Sequence, residues 1–340
     1  MSKFVSENAF AIIRRSEELE GFNIDNNVDS STINSSCQKF NKATILAFLE
    51  CSDTKVKVVK SRTEIGTIKY YLIAHNTVSH ETIKIYGLGN HFIALVNMVE
   101  YVMKYKQRKT IKPNVNLMTN NMIKRLNRRI LYDRIGEVAI GEYRDVDLFN
   151  RPVEVNISGA DEFGRTISYN FIQLATSRNK NVFNEMDKLC NWINSIDASN
   201  LTDNEKLLLV AEFHARFIKI HPFRDGNGRT ARLLMNYMML AYNLPMINIS
   251  QQCKNEYCFC LDYANTHNYE AFAKCPEFTD YISEYEDIYG NRTEENRYMP
   301  LAMFLKDRMM LESPNELIDE ILNYTPSESY TKEVEAEQID

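Results

Sequence analysis

Between His221 and Arg232 the chain reads HPFRDGNGRTAR, a stretch that gathers an imidazole, a carboxylate, two glycines, an amide and three guanidiniums beside each other. Gly226 and Gly228 let the backbone turn and approach a ligand with no Cβ in the way. The run that follows, Leu233, Leu234, Met235, Tyr237, Met238, Met239 and Leu240, reads as a buried helix. The glycines therefore stand at a helix N-terminus, where unpaired amides and the positive end of the dipole favour an anion. Phosphate is the natural guest. His221, whose ordinary pKa lies near neutrality, suits the removal of a proton from an attacking hydroxyl. Asp225 is a hard oxygen ligand placed where magnesium would bridge protein and phosphates. Asn227 would donate to a phosphate oxygen. Arg229 and Arg232, three apart on one helical face, would grip a polyphosphate by bidentate contacts. Phe223 points inward and anchors the loop.

Two helices must hold this loop. The first begins at a capping box, Thr202 to Glu205, and carries Leu208, Val210, Phe213, Phe217 and Ile220 as apolar positions. A cluster of Pro, Gly, Asp and Asn between helices is otherwise an ordinary loop. Here eight specified positions occur in order as H-x-F-x-D-G-N-G-R-x-x-R, from His221 to Arg232. That ordered set is the signature of the Fic family, and the stretch resembles it at every specified position.

The resemblance extends over roughly residues 88 to 275. GNHFIALVNMVEYV (89 to 102) and NLMTNNMIKRLNRRIL (116 to 131) look like the two helices that precede the core of a Fic domain. GEYR (141 to 144) is similar to the family's Gly-x-x-Arg lead-in. Alternation at Val153, Val155 and Ile157, a Gly159 to Gly164 turn, and then Thr166, Ser168 and Asn170 opposed to Ile167, Tyr169 and Phe171 read as a hairpin. By the resemblance it is a flap, with Ile167, Ser168 and Tyr169 pairing with the backbone of a protein target. The competing reading is an ordinary surface hairpin. KNEYCFCLDYANTHNYEAF (254 to 272) resembles the family's Tyr-rich helix, which implies that Tyr257 and Asn265 line an adenine pocket. Judged by spacing alone, the same Tyr and Leu stripe is a core face.

Many Fic proteins also carry an inhibitory helix of the form Ser or Thr, three residues, Glu, then Gly or Asn. RRSEELEGF (14 to 22) matches it with Ser16, Glu20 and Gly21, which implies that Glu20 pairs with Arg232 and blocks the seat of a γ-phosphate. DSSTINSS (29 to 36) has a similar flavour but puts Asn34 where the glutamate belongs. A charged surface helix ending at a glycine is the bland alternative.

A chain of 340 residues has room for one large domain or two modest ones. Its net charge of −6 argues against non-specific binding to nucleic acid or membrane surfaces. No apolar run reaches membrane-span length, and MSKFVSENAF lacks the apolar core of a signal peptide. Seven scattered cysteines, an odd number, point to reduced thiols in a cytoplasm. Cys253, Cys258, Cys260, His267 and Cys275 fit no common zinc spacing.

The expected architecture is an all-α Fic fold with a small β-hairpin flap and a minor β element in residues 54 to 86. Residues 1–87 would be a regulatory region, 88–275 the catalytic domain and 276–340 a helical extension ending in an acidic tail. The resemblance implies an adenylyltransferase that uses ATP and Mg2+ to move AMP onto a Ser, Thr or Tyr hydroxyl of a protein substrate held by the flap. Relatives transfer UMP, phosphocholine or a terminal phosphate, and the phosphate-transferring branch departs at the first glycine, where Gly226 is intact. Removal of AMP, with Glu20 positioning a water, and a non-catalytic binding module are the other readings. Assembly as a homodimer stays open.

Overall fold

The computed structural model describes residues 7–21, 55–62, 68–75, 80–112, 115–131, 140–144, 157–160, 166–169, 182–266 and 297–322. Outside them lie several sequence expectations: Val153 and Val155, Asn34 and the stretch to residue 54, His267, Cys275, and the acidic tail from Pro326.

The core is helical. α1 (Glu7–Leu19) buries Ala9, Phe10, Ile12 and Ile13 on one face and ends at a turn closed by the Gly21 amide on the Glu18 carbonyl at 2.9 Å. α2 (His80–Ile111) and α3 (Asn120–Ile130) follow, then α4 (Val182–Asn194) and α5 (Asp203–Ile220). The Thr202 hydroxyl accepts from the Glu205 amide while the Glu205 carboxylate accepts from the Thr202 amide, so the capping box that starts α5 is complete.

α6 (Asn227–Ala241) is the centre. Every residue from Asn227 to Leu240 except Gly228 is buried, as a helix apolar on all sides requires. It packs against α5, α2 and α3, while α1 crosses α2 and touches α6. The one amide in its apolar stretch, Asn236, donates to the Ile247 carbonyl at 3.1 Å and accepts from the Ile247 amide at 2.7 Å, pinning the segment that follows. α7 (Lys254–Thr266), α8 (Met299–Lys306) and α9 (Pro314–Leu322) close the other side, with α7 and α8 on α5 and α9 on α2.

Among the described residues the strands form two antiparallel pairs. β1 (Lys55–Arg62) pairs with β2 (Ile68–His75), and β3 (Ile157–Ala160) pairs with β4 (Thr166–Tyr169), Ile157 opposite Tyr169 and Ser158 opposite Ser168. Among the described residues no helix is long and apolar enough to cross a membrane.

Candidate active site

The loop between α5 and α6 is shaped by three buried polar side chains. Asn227, the first residue of α6, accepts from the Phe223 amide at 2.8 Å and donates to the Phe223 carbonyl at 2.7 Å. Its amide therefore staples the loop, and one N–H remains for a ligand, a narrower role than the sequence suggests. Phe223 is fully buried against Tyr143 and Phe217, with ring centroids 5.2 and 6.4 Å away.

Asn127 of α3 is the second. It donates to the Asp225 carbonyl at 3.0 Å and to the Thr230 hydroxyl at 3.2 Å, and accepts from the Gly141 amide at 2.9 Å. One buried amide thus joins α3, the GEYR segment and both ends of the loop. Nothing in the linear pattern marks it, because its two partners in the loop lie 98 and 103 residues away.

Arg144 is the third. Its guanidinium donates to the His221 carbonyl at 2.6 Å and to the Ile220 carbonyl at 3.0 Å, and its amide donates to the Pro222 carbonyl at 2.7 Å. These bonds satisfy the last carbonyls of α5, with positive charge at the end of the helix that favours it. They also hold His221 at φ 49, ψ 59, a left-handed conformation that a non-glycine residue adopts only when its surroundings impose it. The Ile218 carbonyl acts on the His221 ring in the sense that favours a hydrogen on the nearer nitrogen, which would leave the other nitrogen as an acceptor. Burial first, and then the Arg144 charge, push its pKa from 6.5 down to about 4, against the opposing pull of Glu20 and Asp225. At neutral pH the imidazole is a base waiting for a proton.

Gly226 is the N-cap of α6 at φ 72, where an L side chain would be strained and where a Cβ would stand 3.0 Å from the Asn127 amide nitrogen. Gly228 faces outward from the first turn, and a Cβ there would run into the Glu20 carboxylate. An acid of the chain itself therefore sits over the amides that open α6.

Glu20 is held there by Arg232, whose Nη2 donates to Oε1 at 2.7 Å. The same guanidinium donates through Nε to the Ser16 hydroxyl and through Nη2 to the Ser16 carbonyl, both at 2.8 Å. Arg229 instead reaches Glu17, at 3.3 and 3.5 Å, and Asp225 at 3.4 Å. Glu17 and its partner His91, at 2.8 Å, stand out in no sequence motif.

The residues expected to hold a purine divide. Asn265 is buried, and its side-chain nitrogen has no hydrogen-bond partner among the described residues, so it offers a donor. Tyr257 is buried, 5% exposed. Its hydroxyl meets His214 Nε2 at 2.5 Å, and its ring stacks on Phe304 at 5.9 Å. The other His214 nitrogen faces the Ala231 carbonyl at 3.2 Å, which can only accept, so Nδ1 carries the hydrogen and Tyr257 donates to Nε2. The reason lies in helix geometry: this position of α7 faces α5 and α8, and a phenol there is braced rather than offered.

Among the described residues no group of three or more His, Cys, Asp or Glu side chains could hold a metal ion by itself. Asp225 supplies a single carboxylate, the number that magnesium takes from a protein when polyphosphate and water fill its other positions.

Comparison with known proteins agrees with this geometry. The sequence pattern of the Fic/DOC family matches residues 117–239. "Protein adenylyltransferase Fic" of Drosophila yakuba is 37% identical over 98 residues, 28% of this chain and 19% of that protein. "Protein adenylyltransferase fic-1" of Caenorhabditis elegans is 28% identical over 157 residues, 46% of this chain and 27% of that one. The chain thus spans about a fifth to a quarter of the length of these relatives. A Fic domain containing signaling protein from Bacteroides thetaiotaomicron has the same fold, with TM-score 0.50 at 21% identity over 94% of this chain and 89% of the other. With the motif loop, its two helices and the family pattern coinciding on one segment, residues 117–239 form a Fic/DOC family domain.

Proposed function

We propose that this protein transfers AMP from ATP to a Ser, Thr or Tyr hydroxyl of a protein and is held in check by Glu20. The observation that carries the reading is the Glu20 carboxylate on Arg232 above Gly228: an anion seat at a helix N-terminus, filled by an internal anion. The names of the relatives support the choice of AMP.

In this mechanism His221 takes the proton of the target hydroxyl through its free ring nitrogen. The oxygen attacks the α-phosphorus in line, the bond to the α,β-bridging oxygen breaks, and pyrophosphate leaves. The amides of residues 226–228 and the remaining N–H of Asn227 stabilise charge on the α-phosphate oxygens, typically the largest contribution to such a reaction. Arg229 and Arg232 orient the β- and γ-phosphates. Asp225 would hold Mg2+, which when bound neutralises phosphate charge. β3 and β4 act as the flap, with Ile167, Ser168 and Tyr169 presenting backbone to the target.

The test supplies α-labelled and γ-labelled ATP separately to the Glu20→Gly chain with magnesium and a protein acceptor. Label from the α position alone should enter protein. Transfer of the γ label would assign a kinase instead, and transfer of neither would leave a binding module.

Asp225→Ala should lower this activity by one to two orders of magnitude, roughly, with partial recovery at high magnesium or manganese because phosphates and water supply most of the ligands. Activity indifferent to both chelator and substitution would remove the metal from the scheme.

The pH profile follows from His221. A base is lost when protonated, so kcat/KM should stay level from about pH 8 to about pH 5 and fall only as pH approaches about 4. Arg144→Gln removes a charge that lowers the pKa, so the fall should move upward, toward the ordinary 6.5. An acid limb already centred near 6.5 in the Glu20→Gly chain would contradict the burial of the base.

A further inference from the structure

Two carboxylates reach the loop from α1, three residues apart, and their surroundings differ. Glu20 lies past the last helical residue, and 31% of its side chain is exposed. Glu17 lies inside the helix with 5% exposed, opposite an Arg229 side chain that is also 5% exposed. One oxygen of Glu17 takes the hydrogen bond from His91 Nδ1 at 2.8 Å, and both face Arg229 Nη1. Arg229 Nη2 turns the other way, to Asp225 at 3.4 Å. The guanidinium fork is thus gripped from behind while its front edge lies at the loop.

The charges suit a permanent grip. Burial alone would raise the pKa of Glu17, but Arg229, the His91 hydrogen bond and Arg232 outweigh it and hold the value at about 2. Burial lowers the pKa of His91 despite Glu17, so the imidazole is neutral and orients the carboxylate without cancelling its charge for Arg229. A brake has to release when nucleotide arrives. Withdrawing Glu17 would leave an uncompensated charge in the protein interior, the costly way to break a buried pair. Glu20 can turn into water.

We propose that Glu17, oriented by His91, is a positioning residue that presets Arg229 for phosphate and keeps α1 docked, and is not a second brake beside Glu20. The inference rests on reading the 221–232 loop as a nucleotide site. It makes α1 bifunctional: its interior turn builds the site and its last turn closes it. Release then needs only the Glu20 end to move.

The test is one of sign. In the Glu20→Gly chain, Glu17→Gln should weaken Mg-ATP binding measured by calorimetry about tenfold or more, because a fork that matches phosphate in one orientation loses it. The KM for ATP should rise more than kcat falls, which a general loss of folded protein would not produce, and Glu17→Asp should recover part of the affinity. Tighter binding or faster labelled incorporation in Glu17→Gln would make Glu17 a brake and overturn the proposal, as would no change. Should Glu17→Gln fail to fold, His91→Leu removes only the orienting hydrogen bond. It should weaken binding a few-fold, and equal or tighter binding overturns the proposal. If the Glu20→Gly chain binds ATP but transfers neither label, the AMP-transfer reading fails while affinity still reports on Glu17. A chain that binds no ATP overturns both.

Discussion

Glu20→Gly is expected to raise incorporation of α-labelled AMP at least about tenfold over the unaltered chain, the larger of the ranges that ion-pair energies allow. An exposed pair is worth under about 1 kcal/mol, whereas hydrogen bonds to charged groups in sheltered places reach about 1.5–3 kcal/mol, or one to two orders of magnitude in an equilibrium. Arg232 is 8% exposed, and the 2.7 Å contact is charge-assisted, which places this pair in the second group. Steric occupation adds to it, since the carboxylate lies where a Cβ of Gly228 would be. Arg232→Ala should not mimic the effect, because it removes the grip on nucleotide together with the grip on Glu20. A flat time course for Glu20→Gly would show that the contact carries no control.

His221→Ala should lower the rate of transfer by about 10²- to 10⁴-fold while ATP affinity stays within a few-fold, since the base acts on the attacking hydroxyl. The residue sits at φ 49, so alanine also brings backbone strain. His221→Asn is the cleaner probe, because asparagine tolerates the left-handed region. It should be equally slow in labelled transfer yet melt near the temperature of the unaltered chain. Wild-type transfer in either variant would remove His221 from the mechanism.

The loop was legible in the sequence because its chemistry is local. His221, Asp225, Gly226, Gly228, Arg229 and Arg232 sit in one run between two periodic helices, and the Thr202 capping box marks where the first one starts. The pairing of Ser16 and Glu20 with Arg232 spans 216 and 212 residues and could be anticipated only through a family pattern. Asn127, Glu17 and His91 have no such pattern. Each is a polar residue in an amphipathic helix, and periodicity cannot tell a solvated position from one that meets a distant arginine. Tyr257 shows the converse. A tyrosine on a half-apolar helix suits a purine and suits a core equally, and the His214 and Phe304 that brace it come from elsewhere in the chain.

The void beside Gly228 also bears on how such a protein can change over generations. The space without a Cβ receives the Glu20 carboxylate now, and in the proposed reaction it receives nucleotide. Any larger side chain at 228 would displace Glu20 and, in that reaction, obstruct the nucleotide in the same stroke. On the proposed reading, a substitution at 228 cannot lift restraint without costing the reaction. On the same reading, change that lifts restraint and spares the reaction falls on the turn that follows α1, at Glu20, and leaves the loop intact.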